Sequence, residues 1–169
     1  MSDAKVWKNR IAGRVILLND EDRVLLFEGF DPAEPDAPWW FTPGGGVEPD
    51  ETPREAAARE LFEETGLTVA PDDLGEQVYQ DYVEFSFDGV ALHQHNHFFA
   101  LRTSASDITT TGFDEMEQRT HLGHRWWSAD ELAASSVTYF PEELAELLGR
   151  LVDTQQTEPA ESVERAEFA

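Results

Sequence analysis

The chain has 169 residues, 40% of them apolar, no cysteine, and 35 acidic against 12 basic side chains, a net charge of −23. That length suits one domain with a full hydrophobic core, the missing cysteines exclude disulfides and thiolate metal sites, and a field of this sign disfavours general binding to nucleic acid. No apolar run is long enough for a membrane span and MSDAKVWKNR is no secretory leader, so a cytoplasmic address is expected; the acidic, lysine-poor composition suits a salt-rich cytoplasm, and a GC-rich genome gives a similar bias.

VWKNRIAGRVILLN ends in an apolar, strand-like run, Asn19-Asp20-Glu21-Asp22 signals a turn, and RVLLFEGF at 23–30 reads as the second arm of a hairpin. DPAEPDAP at 31–38 is rich in proline and aspartate and predicts a loop. WWFT at 39–42 predicts a short aromatic strand stopped by Pro43 and three glycines. Thr52 as N-cap, Pro53 in the first turn and Glu55 in a capping box predict a helix over 53–65, closed by a left-handed Gly66. Residues 78–87 and 90–102 flank Asp88-Gly89, a two-residue hairpin signal. GHRWWS at 123–128 predicts a strand in which Trp126 and Trp127 face opposite ways, so at most one is fully buried. Ser128 opens a short helix, and Pro141 opens an amphipathic one carrying Leu144, Leu147, Leu148 and Leu151. One domain over 1–152 and an acidic, disordered tail over 153–169 are expected. Strands, a central helix, more strands and terminal helices indicate an α+β fold on a mixed sheet.

The densest chemistry lies in GGGVEPDETPREAAARELFEETGL, residues 44–67. At 3.6 residues per turn Glu60, Glu63 and Glu64 share a helix face. Three carboxylates there repel one another unless water or a cation relieves them. They make a hard oxygen site suited to Mg²⁺ or Mn²⁺. A solvated acidic face is the ordinary alternative in so acidic a chain. The wider spacing decides the matter: Gly45, five residues, Glu51, seven residues, then Arg59-Glu60-Leu61-Phe62-Glu63-Glu64-Thr65-Gly66-Leu67. This fits G-x5-E-x7-R-E-U-x-E-E-x-G-U at every fixed position, U being a bulky aliphatic residue, an agreement expected by chance on the order of once in a million chains. The chain therefore resembles the Nudix hydrolases, with strand order and length that extend the resemblance over about residues 8–152.

That resemblance implies an α/β/α sandwich with the box on a loop–helix–loop, and hydrolysis of a pyrophosphate bond in a nucleoside diphosphate linked to another moiety. It implies Mg²⁺, with Mn²⁺ as a substitute, held by Glu60, Glu64, Glu63 and the Gly44 carbonyl, and Glu51 with Arg59 as the brace of the box. Glu60 and Glu63 carry the chemistry in this reading, with Glu117, then Glu115, as the downstream base. Trp39 or Phe41 would stack on a base, Arg14 would hold a phosphate, and His95 would line the cleft with His93 and His97. The expected partner is a small nucleotide, with no membrane and with a homodimer allowed. A Nudix-fold binding module without catalysis and a bare metal buffer are the alternatives, against which the intact Glu51, Arg59, Glu60, Glu63 and Glu64 count. On substrate, Pro71 comes too early for the ADP-ribose hydrolases, and Tyr82 lies near the tyrosine of the dinucleoside-polyphosphate hydrolases.

Overall fold

The computed structural model describes residues 5–105 and 107–157. In chain order the elements are β1 (Trp7–Leu18), β2 (Val24–Asp31), β3 (Glu34–Phe41), β4 (Gly44–Gly46), α1 (Pro53–Thr65), β5 (Gln77–Phe87), β6 (Val90–Arg102), α2 (Glu115–Thr120), β7 (His121–Trp127), α3 (Ala129–Ala134), β8 (Tyr139–Phe140) and α4 (Leu144–Thr157). The sheet runs β5-β6-β1-β2-β3-β8, with β4 paired to β1 and β7 to β2. β1 and β6 are parallel along their whole length, from Trp7↔Ala91 to Leu18↔Arg102; the other pairs are antiparallel except β3 with β8.

The alternation of β1 builds the two layers. Val15 and Leu17 turn to one face, where they pack with Ala57 and Leu61 of α1, Phe99 and Phe27. Ile16 and Leu18 turn to the other, where Leu132 of α3 and Leu144, Leu147 and Leu148 of α4 join Phe98 and Trp127. Helices on both faces of a mixed sheet are the expected α+β sandwich. Trp127 is buried and Trp126 only partly so, as their opposed directions require. No helix among the described residues is long and apolar enough to cross a membrane.

Local signals set α1. Thr52 accepts from the Glu55 amide and the Glu55 carboxylate accepts from the Thr52 amide, Pro53 opens the first turn, and Gly66 closes the helix at φ 79°. The Asp88-Gly89 turn has both residues at positive φ, the geometry that matches strand twist in a two-residue hairpin.

Four boundaries differ from expectation. Residues 34–38 belong to β3 rather than to a loop. Their two prolines fall between the pairs Asp31↔Glu34 and Gly29↔Trp39, where the register shifts, so no regular ladder needs their missing N–H. The three glycines do not end the strand structure but form β4, paired with Ala12, Gly13 and Arg14. Pro141 starts only a turn, its carbonyl accepting from the Leu144 amide, and the regular helix begins at Leu144. α4 then continues to Thr157, into the segment expected as a tail; the rest of that segment lies outside the described residues.

Gly13 sets how closely α1 approaches the sheet. A Cβ at this position would lie 1.9 Å from the Pro53 carbonyl oxygen and 2.9 Å from the Ala57 amide nitrogen. Gly13→Ala must push backbone against backbone, and urea unfolding should show a loss of about 1–3 kcal/mol or more. An unchanged unfolding midpoint would contradict this packing.

Candidate active site

The strand from Glu34 to Gly46 changes partner in its middle. β3 pairs with β2, β4 pairs with β1, and Thr42-Pro43 lies between. Pro43 donates nothing, but its carbonyl accepts from the Val15 amide at 2.9 Å. Arg14 braces the switch, donating from Nη1 to the Thr42 carbonyl at 3.0 Å and from Nε to Asn96 Oδ1 at 3.1 Å. The three glycines then pass between two sets of side chains. A Cβ on Gly45 would fall 2.5 Å from the Glu60 carboxylate, while Cβ atoms on Gly44 and Gly46 would strike Arg14 and Arg10. Only bare backbone fits there.

One guanidinium ties this strand to α1. Arg59 donates from Nε and Nη2 to the two Glu51 oxygens at 2.9 Å, from Nη2 to the Gly46 carbonyl at 3.0 Å, and from Nη1 to Glu60 Oε1 at 2.9 Å. The bidentate bond to Glu51 is the strong form of the pair. Arg59 holds the Glu51 carboxyl below the usual carboxylate range, and Glu51 in turn raises the guanidinium.

Glu64 is 3% exposed. Its Oε2 accepts from the Gly44 amide at 2.8 Å. The chain beyond α1 folds back onto this end of the helix. The Thr109 amide donates to the Thr65 carbonyl at 2.9 Å, Gly112 presses against the Glu63 backbone, and Phe113 enters the core edge-on to Phe27, with ring centroids 5.6 Å apart. Asp114 then caps α2 in a second capping box: its carboxylate accepts from the Glu117 amide at 2.8 Å and its amide donates to Glu117 Oε1 at 3.1 Å. Glu117 is thereby brought to α1, and carboxylate oxygens of Glu60, Glu64 and Glu117 lie within 4.8 Å of one another.

All three carboxyls are pushed above the usual range. Burial is the first cause at each, and like charge adds to it: Glu63 on Glu60, Glu60 and Glu117 on Glu64, and Asp114 and Glu60 on Glu117. Three converging hard oxygen donors, partly desolvated and mutually repelling, fit a divalent cation such as Mg²⁺ or Mn²⁺.

The other expected residues are distributed differently. Glu63 lies outside the triangle, 41% exposed by its side chain, with Oε2 3.4 Å from Arg59 Nη1. Gly44 presents its amide to Glu64. Phe41 packs against the core beside Phe27 at 6.1 Å, so the role of stacking on a base does not suit it; its side chain alternates with Trp40, which meets Trp127 on the other layer. Trp39 is half-buried and meets Phe87 edge-on at 6.4 Å. Arg14 is engaged at the strand switch. His95 bonds to Gln80 at 3.2 Å, on the face of β6 away from Asn96 and Arg14. Tyr82 is 62% exposed and sits over His93 on that same face, the one on which Phe99 of β6 packs against α1. Among the described residues, the histidines join no metal-type group. Two buried polar atoms near Arg14, Thr42 Oγ1 and Gln94 Oε1, have no protein partner.

A family model described as the NUDIX domain matches residues 8–151, and the chain belongs to the Nudix hydrolase family. An RNA pyrophosphohydrolase of Cereibacter sphaeroides (strain ATCC 17029 / ATH 2.4.9) is 31% identical over 134 residues, 74% of this chain and 79% of that protein. Diphosphoinositol polyphosphate phosphohydrolase 2 of Rattus norvegicus is 45% identical over 65 residues, 38% of this chain and 34% of that protein. The matches to two of the curated relatives thus span about a third of their length. The solved E. coli dihydroneopterin triphosphate pyrophosphohydrolase superposes with a TM-score of 0.58 at 27% identity, covering 89% of this chain and 99% of that one.

The raised carboxyls give a signed pH dependence. A carboxyl whose pKa is higher folded than unfolded binds more protons in the native state, so its contribution to stability falls as pH rises through that folded value. In EDTA the wild type should therefore lose stability as pH climbs from just above the ordinary carboxylate range towards neutrality. Glu64→Gln should flatten this slope and leave the melting temperature at pH 7.5 equal to or above wild type. Calorimetric scans at several pH values check it; a Glu64→Gln protein that melts lower with the slope unchanged would contradict it.

Proposed function

We propose that this chain is a divalent-cation-dependent pyrophosphohydrolase of the cytoplasm, acting on a small nucleotide-type substrate in which a pyrophosphate links two moieties. The observation that carries the reading is the triangle of Glu60, Glu64 and Glu117 beside the bare glycine strand. Glu60 and Glu64 would hold Mg²⁺ or Mn²⁺, with Glu117 at the third corner. When bound, the cation supplies neutralisation of the phosphate charge and a more acidic water.

The chain's own residues do the rest. The Arg59–Glu51 brace fixes Glu60 relative to the Gly46 carbonyl, so the carboxylates do not rearrange when substrate arrives. The open backbone of Gly45 lets phosphate oxygens come near without a side chain in the way. Glu117, its carboxyl raised chiefly by burial, is a stronger base than an ordinary carboxylate and is suited to take a proton. In that step water forms a bond to phosphorus, the bridging P–O bond breaks, and the water proton passes to Glu117. Glu63, at the rim beside Arg59, orients the water. In-line positioning and charge neutralisation are the main demands of phosphoryl transfer, and this site is arranged for both.

The relatives are named for RNA, diphosphoinositol polyphosphate and dihydroneopterin triphosphate. The test is therefore a panel: nucleoside triphosphates, dinucleoside polyphosphates, ADP-ribose and nucleotide sugars, each with Mg²⁺ or Mn²⁺, read by phosphate and pyrophosphate release. Glu64→Gln should lower kcat by about a hundredfold or more, since the cation supplies several kcal/mol of transition-state stabilisation. A wild type that turns over nothing on the panel would overturn the enzyme reading and leave the binding module and the bare metal buffer.

A further inference from the structure

Strand β6 carries a histidine at every second position from His93 to His97, so His93, His95 and His97 share one face, the face away from Asn96 and Arg14. β5 runs antiparallel beside it and sets Gln80 opposite His97, Tyr82 opposite His95 and Glu84 opposite His93. His93 is taken up by its neighbours: its ring lies 4.4 Å from that of Trp7, and its Nδ1 lies 3.3 Å from Glu84. Tyr82 stands against the rings of both His93 and His95, at 5.9 and 6.3 Å. His95 and His97 face each other, with ring centroids 4.3 Å apart and planes inclined at 36°.

A chain of hydrogen bonds from β5 fixes which nitrogen of each ring carries the proton. Gln77 Oε1 lies 2.6 Å from His97 Nδ1, Gln77 Nε2 donates to Gln80 Oε1 at 3.5 Å, and Gln80 Oε1 lies 3.2 Å from His95 Nε2. An amide oxygen only accepts, so His97 donates from Nδ1 and His95 from Nε2. The lone pairs are then on His97 Nε2 and His95 Nδ1, and neither atom has a hydrogen-bond partner among the described residues. A histidine that donates from one nitrogen and keeps a lone pair on the other is oriented and ready to ligate a metal. Burial, with His95 beside it, lowers the pKa of His97, so its ring is neutral at neutral pH.

We propose that His95 and His97 form a second cation site, separate from the carboxylates, which takes a late first-row transition cation between two imidazoles, Cu²⁺ ahead of Ni²⁺ and Zn²⁺. Imidazole nitrogen suits these ions, whereas Mg²⁺ takes oxygen. Among the described residues no third histidine or carboxylate closes a three-ligand group with the pair, so solvent completes the coordination. The place is also distinct from the triangle of Glu60, Glu64 and Glu117. His97 lines an open cavity of about 720 Å³ together with Thr52 and Arg54 at the start of α1, and about 15 Å of helix, at 1.5 Å per residue, separates Arg54 from Glu64. The inference goes beyond the pyrophosphohydrolase reading and does not rest on it.

The probe is Cu²⁺, titrated into the full chain carrying Glu64→Gln with Mg²⁺ in excess, so that the carboxylates compete little. Electron paramagnetic resonance should show the hyperfine pattern of two imidazole nitrogens. Adding His95→Gln or His97→Gln should weaken binding about tenfold or more, the loss of one of two protein ligands, and reduce the pattern to one nitrogen. Gln80→Ala should weaken it by about tenfold, the usual effect of removing the oxygen behind a ligating ring. His93→Gln should change it far less. The histidines are only half-buried and both glutamines are exposed, so every variant should melt with its parent in EDTA. Zn²⁺ should then raise the melting temperature of the parent and not that of His95→Gln/His97→Gln, because an ion bound to the native state alone stabilises it. A Cu²⁺ spectrum with oxygen donors alone, affinity unchanged by His95→Gln/His97→Gln, or binding lost chiefly with His93→Gln overturns the site, whatever the activity panel shows.

Discussion

The structure depends on keeping a carboxylate where a carboxylate is costly. Glu64 is almost wholly buried, with Glu60 and Glu117 close by and the backbone amide of Gly44 bonded to it. Desolvation and like charge both oppose the ionised form. Such a group persists because its surroundings fix it. The Gly44 amide is held by pairing with β1, α1 is pressed onto β1 at Gly13, and the segment after Thr109 clamps the helix end. Arg59 reaches only Glu60 of the three, and among the described residues no ion pair reaches Glu64 or Glu117, so the repulsion that is left is relieved from outside, by protons or by a cation.

Arg59 shows how the chain manages this without quenching the site. Its fork is spent on Glu51 and the Gly46 carbonyl, and only one nitrogen reaches Glu60. The guanidinium anchors the helix to the glycine strand while leaving Glu64 and Glu117 unpaired with any cation of the protein among the described residues. A second arginine, Arg14, braces the same strand at the point where it changes partner. The strand is therefore rigid although it carries no side chains, and it separates negative from positive groups by the thickness of one backbone.

Much of this was legible in the sequence where the signals are local. Thr52, Pro53, Glu55 and Gly66 marked the ends of α1 to the residue, and the box spacing placed Glu60 and Glu64. The position of Glu117 between a hairpin and a strand made it a candidate, as it did Asp114 and Glu115, but the capping role of Asp114 appears only when α2 is formed. Other features depended on tertiary placement. Helical spacing puts Glu63 on the face of Glu60 and Glu64, but the docking of Gly112 and Phe113 against the helix end and the pull of Arg59 decide that Glu63 stays at the rim. Period-two alternation grouped His93, His95 and His97, yet alternation gives relative faces only, and Tyr82 and His95 turn away from Arg14. The proline-rich start of β3 hid a strand because its register shifts there.

The central claim is that Glu60, Glu64 and Glu117 form one cation site and that Glu63 stands outside it. Titrating Mn²⁺ into the full chain and following the loss of its free paramagnetic signal tests this most directly. Glu64→Gln and Glu117→Gln should each weaken binding about tenfold or more, the effect of removing a charged ligand, and Glu63→Gln should change it far less. Binding indifferent to Glu64→Gln and Glu117→Gln, or lost chiefly with Glu63→Gln, would contradict the account.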